Sequence, residues 1–211
     1  MNSGVPNKIN NVVKDFASSI CTGEPFYIYV QPESFCKNNW CFQNVEEKIR
    51  RDGGEAVLGW SIMWVEHKFI EAEFHSVWKS PAGSLIDITP LSKLIKSDKI
   101  LFLKDSEKEY EGLRVDVIRK PLCDDPFIND YIKIARVLFK IVEKIQEPHE
   151  TRLYLHDDDA MVYNQIQRLI SVIAFMCKEE RNINSLCICG SNKKYKHCCG
   201  KKVKKILKKY S

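Results

Sequence analysis

The sequence predicts an α+β chain: a short helix and an antiparallel sheet first, two long helices next, and a small cysteine-rich knuckle last. Three observations predict it. Runs of β-branched and aromatic residues between 26 and 88 are broken by Gly and Pro turn signals, apolar residues recur at a helical period over 127–147 and 158–180, and four cysteines crowd into positions 187–199.

FYIYV at 26–30 has strand composition, and FQNVEEKIRR at 42–51 is made of helix formers and is stopped by Gly53-Gly54, so Trp40-Cys41 is the helix entry. Three strand-like runs follow: AVLGWSIMWV at 56–65, FIEAEFHSVW at 69–78 and SLIDI at 84–88. The last two are joined by a Pro- and Gly-containing turn at 79–83. ILFL at 100–103 and LRVDVI at 113–118 are expected to extend the same sheet. Phe127, Tyr131, Ile134, Leu138, Ile141 and Ile145 mark one face of the first long helix; Met161, Ile166, Leu169, Ile170, Ile173 and Phe175 mark the second, which Asp157, Asp158 or Asp159 can cap. The expected organisation is an α+β domain over 1–120, a helical extension over 121–184, and a knuckle with a basic tail over 185–211.

Composition sets the class. With 44% hydrophobic and 29% charged residues, eight prolines and nine glycines, the 211-residue chain reads as globular, which excludes a disordered or fibrous protein. The N-terminal stretch lacks a basic segment followed by a long apolar run, and no stretch approaches the length of a membrane span. A soluble, cytoplasmic protein is the expectation. Charge is divided unevenly: residues 181–211 hold Arg181, nine lysines and no acid, a charge of +10 that leaves −5 for residues 1–180. Val203, Ile206, Leu207 and Tyr210 stand at helical spacing among those lysines. This basic amphipathic helix suits an acidic protein surface or a nucleic acid as partner, or else a solvated face packed on its own fold.

Nine cysteines divide into five scattered ones (Cys21, Cys36, Cys41, Cys123, Cys177) and the cluster Cys187, Cys189, Cys198 and Cys199. In a cytosolic chain such a cluster points to a metal before disulfides. Four thiolates on a turn containing Gly190 and Ser191 suit Zn²⁺, which takes four sulfur ligands in a closed, structural site; His197 competes with Cys198 or Cys199 as the last ligand. The run Cys-x-Cys-Gly-Ser, then Lys-Lys-Tyr-Lys, then x-Cys-Cys, from Cys187 to Cys199, resembles the SEC-C motif found at the C-terminus of the SecA translocation ATPase. That resemblance implies a zinc knuckle of a kind that contacts the ribosome or the chaperone SecB.

Among the scattered cysteines Cys41 stands out because it starts a helix, where unpaired N–H groups and the helix dipole favour a thiolate. His75 in EFHSVW and Asp87 in LIDITP fall on strands joined by the 79–83 turn, which brings them within a residue of directly opposite. A thiol, an imidazole to take its proton and a carboxylate to orient the imidazole are the parts of acyl transfer through a thioester. Together "WCFQNV", "RRDGGEAVLGW", "EFHSVW" and "LIDITP" resemble the transglutaminase-like branch of the papain-like cysteine enzymes. The resemblance implies Cys41 as nucleophile, His75 as base and Asp87 as its orienter, acting on an amide or ester of a peptide or protein substrate. Gln31 is the candidate oxyanion donor, with Gln43 and the Cys41 amide as others, and Cys36 is a rival nucleophile. The other reading is a non-catalytic binding module whose knuckle and lysines dock on a ribosome, chaperone or nucleic acid. His67 with Glu66, and His149 with His156, fit no ligand spacing and are expected at the surface.

Overall fold

A computed structural model describes residues 3–210, and the chain is α+β. It divides into two compact units. One holds the chain up to Tyr110 with Val117–Lys120; the other holds Glu111–Asp116 and the chain from Pro121 onward.

The first unit opens with α1 (Asn11–Ser18), whose N-cap Asn10 accepts a hydrogen bond from the Val13 amide and which buries Val13, Phe16 and Ala17. Nothing in the reading above anticipates this helix, although its Asn cap and its three-residue apolar spacing are sequence signals. Strand β1 (Phe26–Tyr29) and helix α2 (Cys41–Asp52) follow, and α2 ends where Gly53 takes φ 70°, a left-handed value natural to glycine.

The long strands β2 (Glu55–Val65) and β3 (Phe69–Lys79) form an antiparallel pair around a tight turn, with β4 (Leu85–Ile86), β5 (Lys99–Lys104) and β6 (Ile118–Pro121) completing six strands. The order is β1-β5-β2-β3-β4, with β6 paired to β3 off that path. Gly59 is required by the β2–β5 pairing: a Cβ there would stand 2.2 Å from the Leu103 carbonyl oxygen.

The two ends of this order meet. Val30, just past β1, forms a parallel bridge with Asp87, just past β4; the Asp87 amide donates to the Tyr29 carbonyl (3.0 Å) and the Gln31 amide to the Asp87 carbonyl (2.8 Å). The sheet therefore curls almost into a barrel. Ile28, Val57, Val77, Ile100 and Phe102 fill one cluster, and Val45 of α2 joins Trp78 and Ile88 in another. Burial of each such side chain contributes about 1.5–3 kcal/mol.

Two strand expectations are corrected. SLIDI is a strand only over Leu85–Ile86, because the chain then leaves β3 to make the parallel seam. LRVDVI yields a strand only from Ile118, its earlier residues making no ladder. The turn also lies one residue later than the 79–83 expected: Ser80 pairs with Ser84, so β3 and β4 register as Trp78 with Ile86.

The second unit is built on α3 (Pro126–Ile145) and α4 (Asp157–Lys178). Asp125 caps α3 by accepting from the Phe127 amide at 2.8 Å, with Pro126 at the first helical position. α4 buries Ile166, Leu169, Ile173, Met176 and Cys177, whereas Met161 and Phe175 of the expected apolar face are exposed. Its N-cap is His156 without a side-chain bond; Asp157, Asp158 and Asp159 occupy the first turn instead, where their charge favours the helix dipole. A 3₁₀ turn (Tyr195–His197) leads into α5 (Cys199–Tyr210), which buries Val203 and Ile206 and presents its lysines outward.

Candidate functional site

Cys41 is the first residue of α2, and the helix begins without a side-chain cap. The first intrahelical bond runs from the Asn44 amide to the Trp40 carbonyl (2.8 Å), so the amides of Cys41, Phe42 and Gln43 precede the ladder. The Cys41 thiol is buried and hydrogen-bonds the His75 side chain. His75 Nε2 lies 3.1 Å from Asp87 Oδ2, the two side chains being 13% and 1% exposed. With Nε2 engaged by the carboxylate, Nδ1 is the ring nitrogen left for the thiol. The three residues named from sequence are thus together, His75 and Asp87 standing diagonally rather than face to face because of the later turn.

Burial by itself would depress the His75 imidazole. The negative charges of Cys41 and Asp87, with hydrogen bonds to both, outweigh it and hold the imidazole well above its ordinary value.

Asp87 is fixed through both oxygens. Oδ2 meets His75, and Oδ1 accepts the Thr89 amide at 2.9 Å in a local side-chain-to-backbone turn. Thr89 Oγ1 in turn accepts from Asn44 Nδ2 (3.2 Å). The same Asn44 amide group bonds both main-chain groups of Lys37, donating to its carbonyl at 2.8 Å and accepting from its N–H at 3.0 Å. Asn44 therefore ties the loop before α2 to the helix and to the Asp87 turn. Sequence reasoning missed Asn44 and Thr89; a polar residue of poor helix propensity, one turn into a helix and three after the thiol, is the signal that was there.

Gln31 sits on the seam beside Asp87 through its backbone, with an exposed side chain, and Gln43 is half-buried in the first turn of α2. Cys36 is half-buried against Val45, Trp78 and Ile88, its thiol raised by burial first and by the nearby Glu33 and Asp87 charges.

In the second unit the four clustered cysteines converge. The Sγ atoms of Cys187, Cys189, Cys198 and Cys199 all lie within 4.8 Å of one another. Cys187 and Cys189 ride on a small hairpin held by the Leu186–Lys194 bridge and by the Cys187 amide on the Lys193 carbonyl (2.8 Å), turned at Gly190. Cys198 and Cys199 come from the entry to α5, where the Cys198 carbonyl accepts the first helical amides. Cys189 Sγ is 3.3 Å from Cys198 Sγ, and the Ser191 hydroxyl donates to Cys198 Sγ at 3.0 Å. Hydrogen bonding from Ser191 first, and then from Cys198, lowers Cys189 to about 6, whereas burial and then the neighbouring sulfurs push Cys199 far up. His197 is exposed and outside the four-sulfur set, and this is the one group of three or more metal-capable side chains among the described residues.

The knuckle is anchored to α3. Tyr195, 1% exposed and between the two cysteine pairs in sequence, packs edge-on against Phe127 at 4.7 Å and donates its hydroxyl to Asp130 Oδ2 at 3.0 Å. Gly200 accommodates the ring, since a Cβ there would stand 3.0 Å from Tyr195 Cε1. The other histidines are apart from both sites: His67 is exposed, 4.0 Å from Glu66, and the His149 amide bonds the Gly112 carbonyl.

This geometry meets its counterpart in known proteins. Residues 184–201 match the SEC-C motif. The chain is also 32% identical over 102 residues to the protein translocase subunit SecA of Desulforapulum autotrophicum; the match covers 48% of this chain and 10% of that protein. The chain thus spans about a tenth of that relative's length. No solved structure matches it. The SEC-C match coincides with the four-sulfur cluster, while no helix among the described residues is long and apolar enough to cross a membrane.

Proposed function

We propose that the first unit is a thiol-dependent hydrolase or acyltransferase, acting on an amide or ester of a peptide or protein, and that the SEC-C knuckle is a Zn²⁺ module that brings it to an acidic partner. The observation that carries the enzyme half is the buried His75–Asp87 contact at 3.1 Å with Cys41 on the remaining face of the imidazole. In the proposed cycle Cys41 gives its proton to His75 and its sulfur attacks the substrate carbonyl carbon. His75 returns the proton to the departing amine or alcohol, leaving a thioester, and then takes a proton from the water or amine that releases the acyl group. The carbonyl oxygen collects negative charge in each step, and the Cys41 amide, with the Gln31 or Gln43 side chain, is the proposed donor set.

For the knuckle, four sulfurs at about 2.3 Å from a tetrahedral Zn²⁺ stand about 3.8 Å apart, and the observed 3.3 Å and 4.0 Å separations bracket that spacing. Cys187, Cys189, Cys198 and Cys199 would hold the ion, which supplies closed coordination and fold stability rather than catalysis. Reduced thiols in this number suit a cytoplasmic setting.

Alkylation of each cysteine by iodoacetamide across pH 5 to 9, read peptide by peptide in zinc-loaded protein, tests the reading. Cys41 should react fastest outside the knuckle and lose that advantage in His75→Ala; equal rates in the two proteins refute the site.

One observation favours a second reading, a purely binding protein: residues 181–211 contain no acid, and the exposed face of α5 is lysine. It predicts salt-sensitive association with a nucleic acid, ribosome or acidic chaperone and an ordinary Cys41.

A further inference from the structure

Helix α5 runs past the SEC-C match, which ends at residue 201, and carries Lys201, Lys202, Lys204, Lys205, Lys208 and Lys209, all exposed. At about 100° per residue these side chains cover an arc of about 160°, opposite the buried Val203 and Ile206. No acid lies on the helix, so Lys201 with Lys205, Lys204 with Lys208 and Lys205 with Lys209 repel as like charges one turn apart.

The basic surface does not stop at α5. On α3, Lys133, Arg136, Lys140 and Lys144 are exposed and fall on one stripe within about 80°, about 16 Å long. The two helices pack side by side. Lys140 donates to the Tyr210 carbonyl at 3.2 Å, and Asp130, raised by burial, is pulled back down by Tyr195 and then by Lys204 and Lys133 together. The acids of α3 do not break the stripe: Asp130 is held by the Tyr195 hydroxyl, and Glu143 falls at the edge beside Arg136.

The character of this face selects its partner. No large apolar side chain exposed among the described residues lies on α3 or α5, whereas protein interfaces are built on aromatic and apolar anchors and are poor in lysine. A lipid surface fits no better, because the apolar edge that an amphipathic helix sinks into a membrane is here already buried in the fold. A phosphate backbone needs only closely repeated positive charge, and successive cations along the α3 stripe rise by about 4.5–6 Å. The face also lacks an exposed aromatic ring on which an unpaired base could stack.

We propose that α3 and α5 together form a sequence-independent docking face for the phosphate backbone of a double-stranded nucleic acid. The inference rests on the docking role given above to the lysine-rich end of the chain, and adds to it α3, which lies outside the SEC-C match.

The probe is a fluorescein-labelled RNA duplex of mixed sequence, read by anisotropy with the full zinc-loaded chain. With about five of these side chains on phosphates, log affinity should fall against log salt with a slope of about −4.5, a loss of about 500-fold between about 50 and 200 mM KCl. Lys133→Gln with Arg136→Gln, and Lys204→Gln with Lys208→Gln, should each flatten that slope by up to about 1.8. Lys8, Lys14, Lys93 and Lys96 are exposed in the first unit, and changing all of them to Gln removes the charge of both pairs together yet should leave the slope as it was. An α3 pair variant that binds like the native chain, or a control that weakens binding as much as both pairs combined, overturns the two-helix face. The duplex should bind at least about tenfold tighter than its own unpaired strand or poly-L-glutamate. Equal or tighter binding of either one overturns the duplex assignment, poly-L-glutamate pointing to an acidic protein instead. If neither nucleic acid nor poly-L-glutamate is bound at the lowest salt, the docking role itself fails, and the inference with it.

Discussion

Tyr195 joins the four-cysteine knuckle to the helical scaffold, and on the proposed Zn²⁺ reading truncating it should weaken metal binding by a calculable factor. Its hydroxyl donates to the partly buried Asp130 carboxylate at 3.0 Å, and a hydrogen bond to a charged group contributes about 1.5–3 kcal/mol. Burial holds Asp130 above the usual carboxylate range even with Tyr195 pulling the other way, so water replaces the lost partner poorly. Tyr195→Phe is therefore expected to cost about 1.5–2 kcal/mol. Tyr195→Ala also removes a fully buried ring packed on Phe127, and its cost is about 4 kcal/mol. Where docking on α3 and metal binding are coupled, these costs enter the apparent metal affinity: about tenfold or somewhat more for Phe, about a thousandfold for Ala. Zn²⁺ titration against a chromophoric chelator measures it. All four tryptophans (Trp40, Trp60, Trp64, Trp78) lie in the first unit, so their fluorescence in urea is an internal control that should not move. Zn²⁺ affinity of Tyr195→Ala within twofold of the native chain would refute the coupling.

Three further outcomes are expected. His75 titrates higher folded than unfolded, so its charge stabilises the fold fully below about pH 6.5, its ordinary value, and that contribution is lost as pH rises through the folded value. The gap in urea midpoint between the native chain and His75→Gln should narrow from about pH 6 to about pH 9; a gap independent of pH contradicts the shift. Asn44→Ala breaks the bonds to Lys37 and Thr89 and should cost about 1–3 kcal/mol, with a parallel drop in His75-dependent Cys41 alkylation. Asn44 merely packs if stability falls and alkylation does not. Gly59→Ala forces a Cβ onto the Leu103 carbonyl and should lower stability by about 3 kcal/mol, the upper end for overpacking; an unchanged thermal midpoint would mean the β2–β5 pairing yields there.

Much of this was legible in one sequence, for reasons that differ by element. The helix from Cys41 and the β2–β3 pair announce themselves because their periodicity is local and their ends carry Gly-Gly or Pro-Gly breaks. The four sulfurs are legible because metal spacing is a short-range code. The seam between Val30 and Asp87 is not, since a parallel bridge across 57 residues leaves no periodic trace. LRVDVI fails for the converse reason: its alternation is a strand pattern, but ladder partners are supplied by the rest of the chain and are absent before Ile118. Met161 and Phe175 show the limit of helical periodicity, which names an apolar stripe without saying how wide a neighbour covers it. In the thiol site Cys41, His75 and Asp87 could be named from residue type and order, whereas Asn44 and Thr89 act through hydrogen bonds that only the folded chain reveals.

Asp87 divides its labour within a single carboxylate: one oxygen bends the chain at Thr89, next to the main-chain seam that closes the sheet, while the other steers the imidazole. The curl of the sheet and the set of the imidazole therefore hang on one side chain. A descendant in which Cys41 was replaced would still have cause to keep this aspartate, because the turn at Thr89 depends on it.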